Sequence, residues 1–210
     1  MKSDVVYLVD DDEAVRGSLA WFLEGNGFKV SVHENGERFL KALERADRST
    51  SVCVLLDLNL PGMSGLEIQA KLAHQYPAIP VAFITGFGQI ATAVKAIQQG
   101  AIDFIEKPID HKKLIGLVNR MFDQVPTKIK EVNELKAVVD NFKKLTPREK
   151  EVLDCIVSGK INKAIAAHLG ISIKTVEAHR ASVMEKLNAS RPAGLMQAAH
   201  LFDQAKKYRY

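Results

Sequence analysis

The chain has 210 residues, 47% of them hydrophobic, and two cysteines, the composition of a folded protein of one or two domains. Its opening residues, Met1 to Asp4, run straight into Val5–Val9 without a long apolar stretch, so neither a signal peptide nor a membrane span is expected. The net charge of +4 divides unevenly: residues 1–125 hold 13 Lys/Arg against 16 Asp/Glu and residues 126–210 hold 16 against 9, so a polyanion partner, most simply nucleic acid, is expected for the second part.

Val5–Val9 reads as a buried strand that ends in Asp10-Asp11-Asp12-Glu13. Val15, Leu19, Phe22 and Leu23 mark a helix that Gly25-Asn26-Gly27 stops. Phe28, Val30 and Val32 alternate with polar residues, as on an edge strand, and Phe39, Leu40 and Leu43 mark the next helix. Five apolar residues, Val52 to Leu56, then run into Asp57, a pattern for a strand buried on both faces. Pro61-Gly62 turns the chain, and Ser64-x-x-Glu67 is a capping box that opens a third helix. Pro80 to Ile84 is a fourth strand ending at Thr85-Gly86, and Ile90, Ala93, Val94 and Ile97 form a helical stripe stopped by Gly100. Ile102 to Ile105 is a fifth strand ending at Glu106-Lys107-Pro108, and a helix with Leu114, Leu117, Val118 and Met121 closes the unit. Cys53 and Cys155 fall on a strand and a helix with no metal-ligand neighbour, as small buried residues in a reducing cytoplasm.

Strands alternating with helices imply an α/β fold, a flavodoxin-like doubly wound five-stranded parallel sheet of order 2-1-3-4-5. Its switch point lies between strands 1 and 3, which end in Asp10-Asp11 and Asp57, while strands 4 and 5 bring Thr85 and Lys107 to the same edge. Asp57 alone reads equally as a turn or helix-capping residue; the joint placement does not. Clustered carboxylates call for a cation, and an all-oxygen donor set suits magnesium. A carboxylate so placed can accept a phosphoryl group without a general base, with Lys107 neutralising charge and Thr85 donating to a phosphoryl oxygen.

Asp10-Asp11, Asp57, Thr85 and Lys107-Pro108 resemble the five-point signature of bacterial response-regulator receiver domains, over roughly residues 4–123. The resemblance implies that Asp57 is phosphorylated by a sensor histidine kinase. It implies that Asp11 and Asp57 hold Mg2+ directly and Asp10 through water, with the backbone carbonyl of Asn59 as a further ligand, and that Lys107-Pro108 is cis. Thr85 and Phe104, the latter standing where many relatives have tyrosine, would form the switch. Ile90, Val94, Gln98 and Asp103 lie on the face that resembles the family's dimer surface. Asp12 departs from the pattern and is read as a loop or helix-capping residue.

Residues 124–144 read as a helical linker after a receiver over 1–123. Pro126 is expected to break the preceding helix near Val125 or to start a new one. Ile129, Val132, Leu135, Val138 and Phe142 form one apolar stripe, which suits either packing on its own domain or a short coiled coil. Residues 145–210 read as a small all-α four-helix helix-turn-helix domain. Thr146 N-cap, Pro147 at N1 and Glu149 start the first helix, Gly170 makes the tight turn, Ser172 caps the third helix to Leu187, and the fourth follows Ser190-Arg191-Pro192. Val176 and Val183 suit its core. Lys174, Thr175, Glu177, Ala178, Arg180 and Ala181 lie on the outer side of the third helix near its start, and Lys163, Arg180 and Lys186 suit phosphate contacts.

A Gly turn between helices is common, but Leu145-Thr146-Pro147-Arg148-Glu149, Asn162 to Ala166, Thr175 to Arg180 and Met184-Glu185-Lys186-Leu187 together resemble the LuxR-type helix-turn-helix. A receiver joined to it resembles the NarL/FixJ class of transcriptional regulators. That class implies double-stranded promoter DNA with two-fold related half-sites, a homodimer formed on phosphorylation, RNA polymerase as a partner, and no enzyme activity beyond phosphoryl transfer at its own aspartate. The rival reading, a magnesium phosphohydrolase, finds no substrate cap in the chain and has no use for the basic module.

Overall fold

In the computed structural model the described residues are 4–47, 50–86 and 90–207. They divide into two compact units between Lys130 and Glu131.

The first unit is a parallel sheet of order β2-β1-β3-β4-β5, built from β1 (Val5–Val9), β2 (Lys29–His33), β3 (Val52–Asp57), β4 (Val81–Thr85) and β5 (Asp103–Glu106). The connecting helices are α1 (Glu13–Gly25), α2 (Gly36–Glu44), α3 (Gly65–Gln75) and α4 (Ile90–Gln98), followed by α5 (His111–Lys143). All six residues of β3 are buried. Alternate strand residues therefore feed two cores. Val54, Leu56 and Phe83 pack with Phe39, Ile68 and Leu72 on one face, and Cys53, Leu55 and Ile84 pack with Leu19, Leu23, Leu114 and Leu117 on the other. The expected fold and strand order are those found, with β5 one residue later than its pattern suggested.

Local chemistry fixes where each strand stops. Asp12 is the N-cap of α1, accepting from Ala14 N and Val15 N, which settles its reading as a cap. Ser64 and Glu67 form the capping box of α3. Between β3 and α3, Gly65 lies so close to the strand end that an added Cβ would fall 2.3 Å from the Asp57 carbonyl oxygen. Buried Gln69 donates from Nε2 to the Ala96 carbonyl at 3.0 Å, tying α3 to the end of α4.

One expectation fails. Pro126 neither ends a helix nor begins one; it lies inside the 33-residue α5. Loss of its N–H costs about 3 kcal/mol in a helix interior. Against that, Met121 and Val125 are buried before it and Val139 and Phe142 after it, so packing fixes helical residues on both sides. Pro126 itself is exposed, on the side where a displaced carbonyl can turn to water.

The second unit holds the end of α5, α6 (Pro147–Val157), α7 (Asn162–Leu169), α8 (Ile173–Lys186) and α9 (Pro192–Lys207). Its core joins Phe142, Leu145, Val152, Ile156, Ile165, Val176, Val183, Leu187 and Leu195, with Val138 packed against it. Phe142 stacks on Phe202 with centroids 3.9 Å apart. The C-terminal part of the apolar stripe is thus spent on packing within this unit, while Ile129 stays 45% exposed. Gly170 adopts φ +65 between α7 and α8, the left-handed turn that a side chain rarely takes.

Gly65→Ala is expected to cost about 2 kcal/mol or more, because strand backbone rather than a flexible side chain must give way. A fall of several degrees in melting temperature checks this; an unchanged value would contradict the close approach.

Candidate phosphoacceptor site and nucleic-acid interface

Two strand ends deliver three carboxylates to one edge of the sheet. Asp10 follows β1 and is fully buried, Asp57 ends β3 at 5% exposure, and Asp11 is exposed. One oxygen from each of the three lies within 4.8 Å of the others. Lys107, just past β5, places its Nζ 2.6 Å from Asp57 Oδ2 and 2.7 Å from Asp10 Oδ2. The first contact is a hydrogen bond; the second is an ion pair off the hydrogen-bonding direction, and Asp10 Oδ2 has no other donor. Asp57 Oδ1 accepts from Asn59 N at 3.0 Å, and Asp10 Oδ1 accepts from Asp12 N at 2.9 Å. The Lys107–Pro108 peptide is cis.

These contacts set the electrostatics. Burial raises the Asp10 carboxyl above its ordinary value; Lys107 pulls the other way and the Asp57 charge adds to the rise. Burial would lower the Lys107 ammonium, but its bonds to Asp10 and Asp57 hold it above its ordinary value. One ammonium thus serves two acids, and a buried carboxylate oxygen is left without a hydrogen bond. Three carboxylates with no imidazole or thiolate among them make a donor set that fits a hard divalent cation.

Thr85 is buried at the end of β4, and its hydroxyl donates to Gly86 O at 3.2 Å. Phe104 is 42% exposed on β5. Of the four residues on the expected dimer face, Val94 and Gln98 are exposed on α4, and Asp103 pairs with Arg120 at 2.7 Å. The Ile90 side chain lies outside the described residues, as does Gln89. Among the described side chains of α4, Ala96 packs into the core.

In the second unit Lys174, Glu177, Ala178 and Ala181 are exposed on one face of α8, at i, i+3, i+4 and i+7 spacing. Thr175 and Arg180 flank them, half-buried, and the Thr175 hydroxyl lies 2.8 Å from the capping Ser172 hydroxyl. Lys163 is exposed on α7. Ile173, 46% exposed at the head of α8, is an apolar member of this face that the sequence pattern did not single out.

Lys186 does not belong with the phosphate contacts. Its Nζ lies 2.7 Å from both Glu149 oxygens, and Glu149 is 4% exposed. Glu149 also accepts from Ser182 Oγ at 2.7 Å and from Thr146 N at 2.7 Å. Burial alone would raise this carboxyl; donation from Lys186, Ser182 and Thr146 holds it down at about 2. The capping-box pattern revealed only the Thr146 contact, because partners 33 and 37 residues away leave no local signal.

A family model described as the response regulator receiver domain matches residues 6–119, and one described as bacterial regulatory proteins, luxR family, matches residues 143–202. Transcriptional regulatory protein FixJ of Azorhizobium caulinodans is 38% identical over 93% of this chain and 92% of its own. Among solved structures, the response regulator StyR is 34% identical with TM-score 0.61, covering 94% of this chain and 98% of its own. Full-length FixJ from B. japonicum is 31% identical with TM-score 0.58, covering 97% and 99%.

Because Glu149 is depressed from 4.5 to about 2, its contribution to the second unit is complete above pH 4.5 and is lost as pH falls through about 2. Acid unfolding followed by circular dichroism should show this loss, at most about 3 kcal/mol. Lys186→Met, which strands a buried carboxylate, should remove about 3 kcal/mol or more at neutral pH and shift the acid transition upward.

Proposed function

The chain belongs to the response regulators that join a receiver domain to a LuxR-type DNA-binding domain, and from that membership we propose that Asp57 is its phosphoacceptor and α8 its DNA-reading helix. The observation that carries the first half is the Lys107 ammonium between the Asp57 and Asp10 carboxylates.

As a carboxylate nucleophile, Asp57 needs no general base. One of its oxygens attacks phosphorus on the phosphohistidine of a sensor kinase or on a small phosphodonor; the new O–P bond forms as the donor bond breaks. Asn59 N–H keeps Oδ1 in place, and Lys107 follows the growing negative charge onto the phosphoryl oxygens. Asp11 and Asp57 would hold Mg2+ directly and Asp10 through water, with the Asn59 carbonyl as a further ligand. Magnesium, when bound, supplies positive charge that offsets repulsion between carboxylate and phosphoryl oxygens. The chemistry is confined to the chain's own aspartate.

Thr85 is the sensor in this reading. Its hydroxyl leaves Gly86 O for a phosphoryl oxygen, and the Phe104 ring turns in from its exposed position. Both changes remodel the α4–β5 face that carries Val94, Gln98 and Asp103, and a homodimer forms there. On DNA, two such chains set their α8 helices in successive major grooves of a two-fold site. Lys174, Thr175, Glu177, Ala178 and Ala181 meet base edges, with Lys163 and Arg180 on phosphates. Sensor kinase, promoter DNA and RNA polymerase are its partners, and the cytoplasm its place of work. No helix among the described residues is long and apolar enough to cross a membrane.

Incubation with Mg2+ and a small phosphodonor should add one phosphoryl mass to the wild type and none to Asp57→Asn, and light scattering should show the modified full chain as a dimer. Labelling that persists in Asp57→Asn overturns the phosphoacceptor. For DNA, Arg180→Ala should weaken specific and random duplexes alike and lower the salt slope by about one. Lys174→Ala should cost about 1–3 kcal/mol on the specific site only; equal losses on both duplexes for both variants would place the reading face elsewhere.

A further inference from the structure

Arg16 lies on α1, outside the residues that sequence pattern assigns to the acidic edge. Its Nη1 donates to the main-chain carbonyl of Asp10 at 2.6 Å. The turn from Asp10 to Asp12 is otherwise tied by Asp10 N to His33 O at 3.1 Å, Asp12 N to Asp10 Oδ1 at 2.9 Å and Arg16 N to Asp12 O at 3.0 Å. None of those three uses the Arg16 side chain. The Asp10 carbonyl belongs to the peptide that joins Asp10 to Asp11. A donor fixed on that oxygen sets the tilt of the peptide plane, and hence the direction in which Asp11 leaves the turn. Asp11 is exposed and has no strand to hold it, unlike Asp10 and Asp57.

We infer that Arg16 is a positioning residue for divalent-cation binding: it clamps the Asp10–Asp11 peptide so that the exposed Asp11 carboxylate faces the buried Asp10 and Asp57. The inference rests on the reading that this acidic cluster takes Mg2+. Arg16 also carries a positive charge toward the same site, which by itself disfavours a cation. The two effects differ in size. A half-exposed charge a few ångströms away alters affinity by a few-fold, whereas loss of a partner that orients a metal ligand costs about 10–100-fold. Alignment therefore wins, and removing the guanidinium weakens binding despite removing a repulsive charge.

Mg2+ titration of the full chain by calorimetry tests this, with Arg16→Met, Arg16→Lys and, as a reference, Asp11→Asn. Arg16→Met should raise the Mg2+ dissociation constant about tenfold or more. Arg16→Lys keeps the charge and one donor, and should fall between it and the wild type. In small-phosphodonor assays the Mg2+ concentration for half-maximal rate should rise far more than the maximal rate falls, a split that a general loss of folding does not produce. Melting without Mg2+ identifies any unfolded variant, and Arg16→Lys then carries the comparison. Wild-type and Arg16→Lys affinities that agree within twofold, together with an Arg16→Met that is folded and equally tight, overturn the inference alone. A wild type that gives no Mg2+ heat overturns the cluster's assignment and this inference with it.

Discussion

Two buried carboxylates, Asp10 and Asp57, share one ammonium at the end of a parallel sheet, and the first unit is arranged to make that possible. Like charges this close repel, and desolvation raises the cost. Parallel pairing brings the C-terminal ends of β1, β3 and β5 to one edge of the sheet, with β4 between the last two, so three different segments supply the groups without a long loop. The burial of β3 on both faces then locks the position of Asp57 through main-chain bonds and packing rather than through its own side chain. The Asp10 Oδ2 atom, ion-paired with Lys107 but without a hydrogen bond, remains open to a further cation.

The second unit solves a related problem in the opposite way. Glu149 is as buried as Asp57, but its donors are complete: Lys186, Ser182 and Thr146 saturate the carboxylate. It links the start of α6 to two turns of α8, so the helix that faces outward with Lys174 and Glu177 is oriented from behind by an ion pair. A saturated buried charge rigidifies, while a partly saturated one responds.

Much of this was legible in sequence because it is local. Strand ends announced themselves where an apolar run met Asp57 or Thr85, and helix starts by Ser64-x-x-Glu67 and Thr146-Pro147-x-Glu149, each found as a capping box. The expectations that failed depend on contacts distant in sequence. Lys186 looked like a surface cation on its own helix, and only Glu149, 37 residues back, shows where its amine goes. Pro126 carried a strong local signal for a break, and burial of Val125, Val139 and Phe142 outweighed it. Arg16 left no signal, since an arginine that serves a backbone carbonyl has the same spacing as one that serves water.

On the proposed function, the α4 segment is where a charge added at Asp57 would act. Among its described side chains Ala96 enters the core, with Gln69 bonded to the Ala96 carbonyl, while Val94 and Ile97 face outward. A hydrogen bond to a charged group contributes about 1.5–3 kcal/mol net. Moving a population from 1% to 99% takes about 5.5 kcal/mol. On the proposed function, two such bonds, from Thr85 and Lys107 to a phosphoryl group, would supply about half to all of that bias. On that reading, the exposed Val94 and Ile97 and the Asp10 Oδ2 atom without a hydrogen bond are two parts of one requirement: a site that can gain charge, near an element that can move in response.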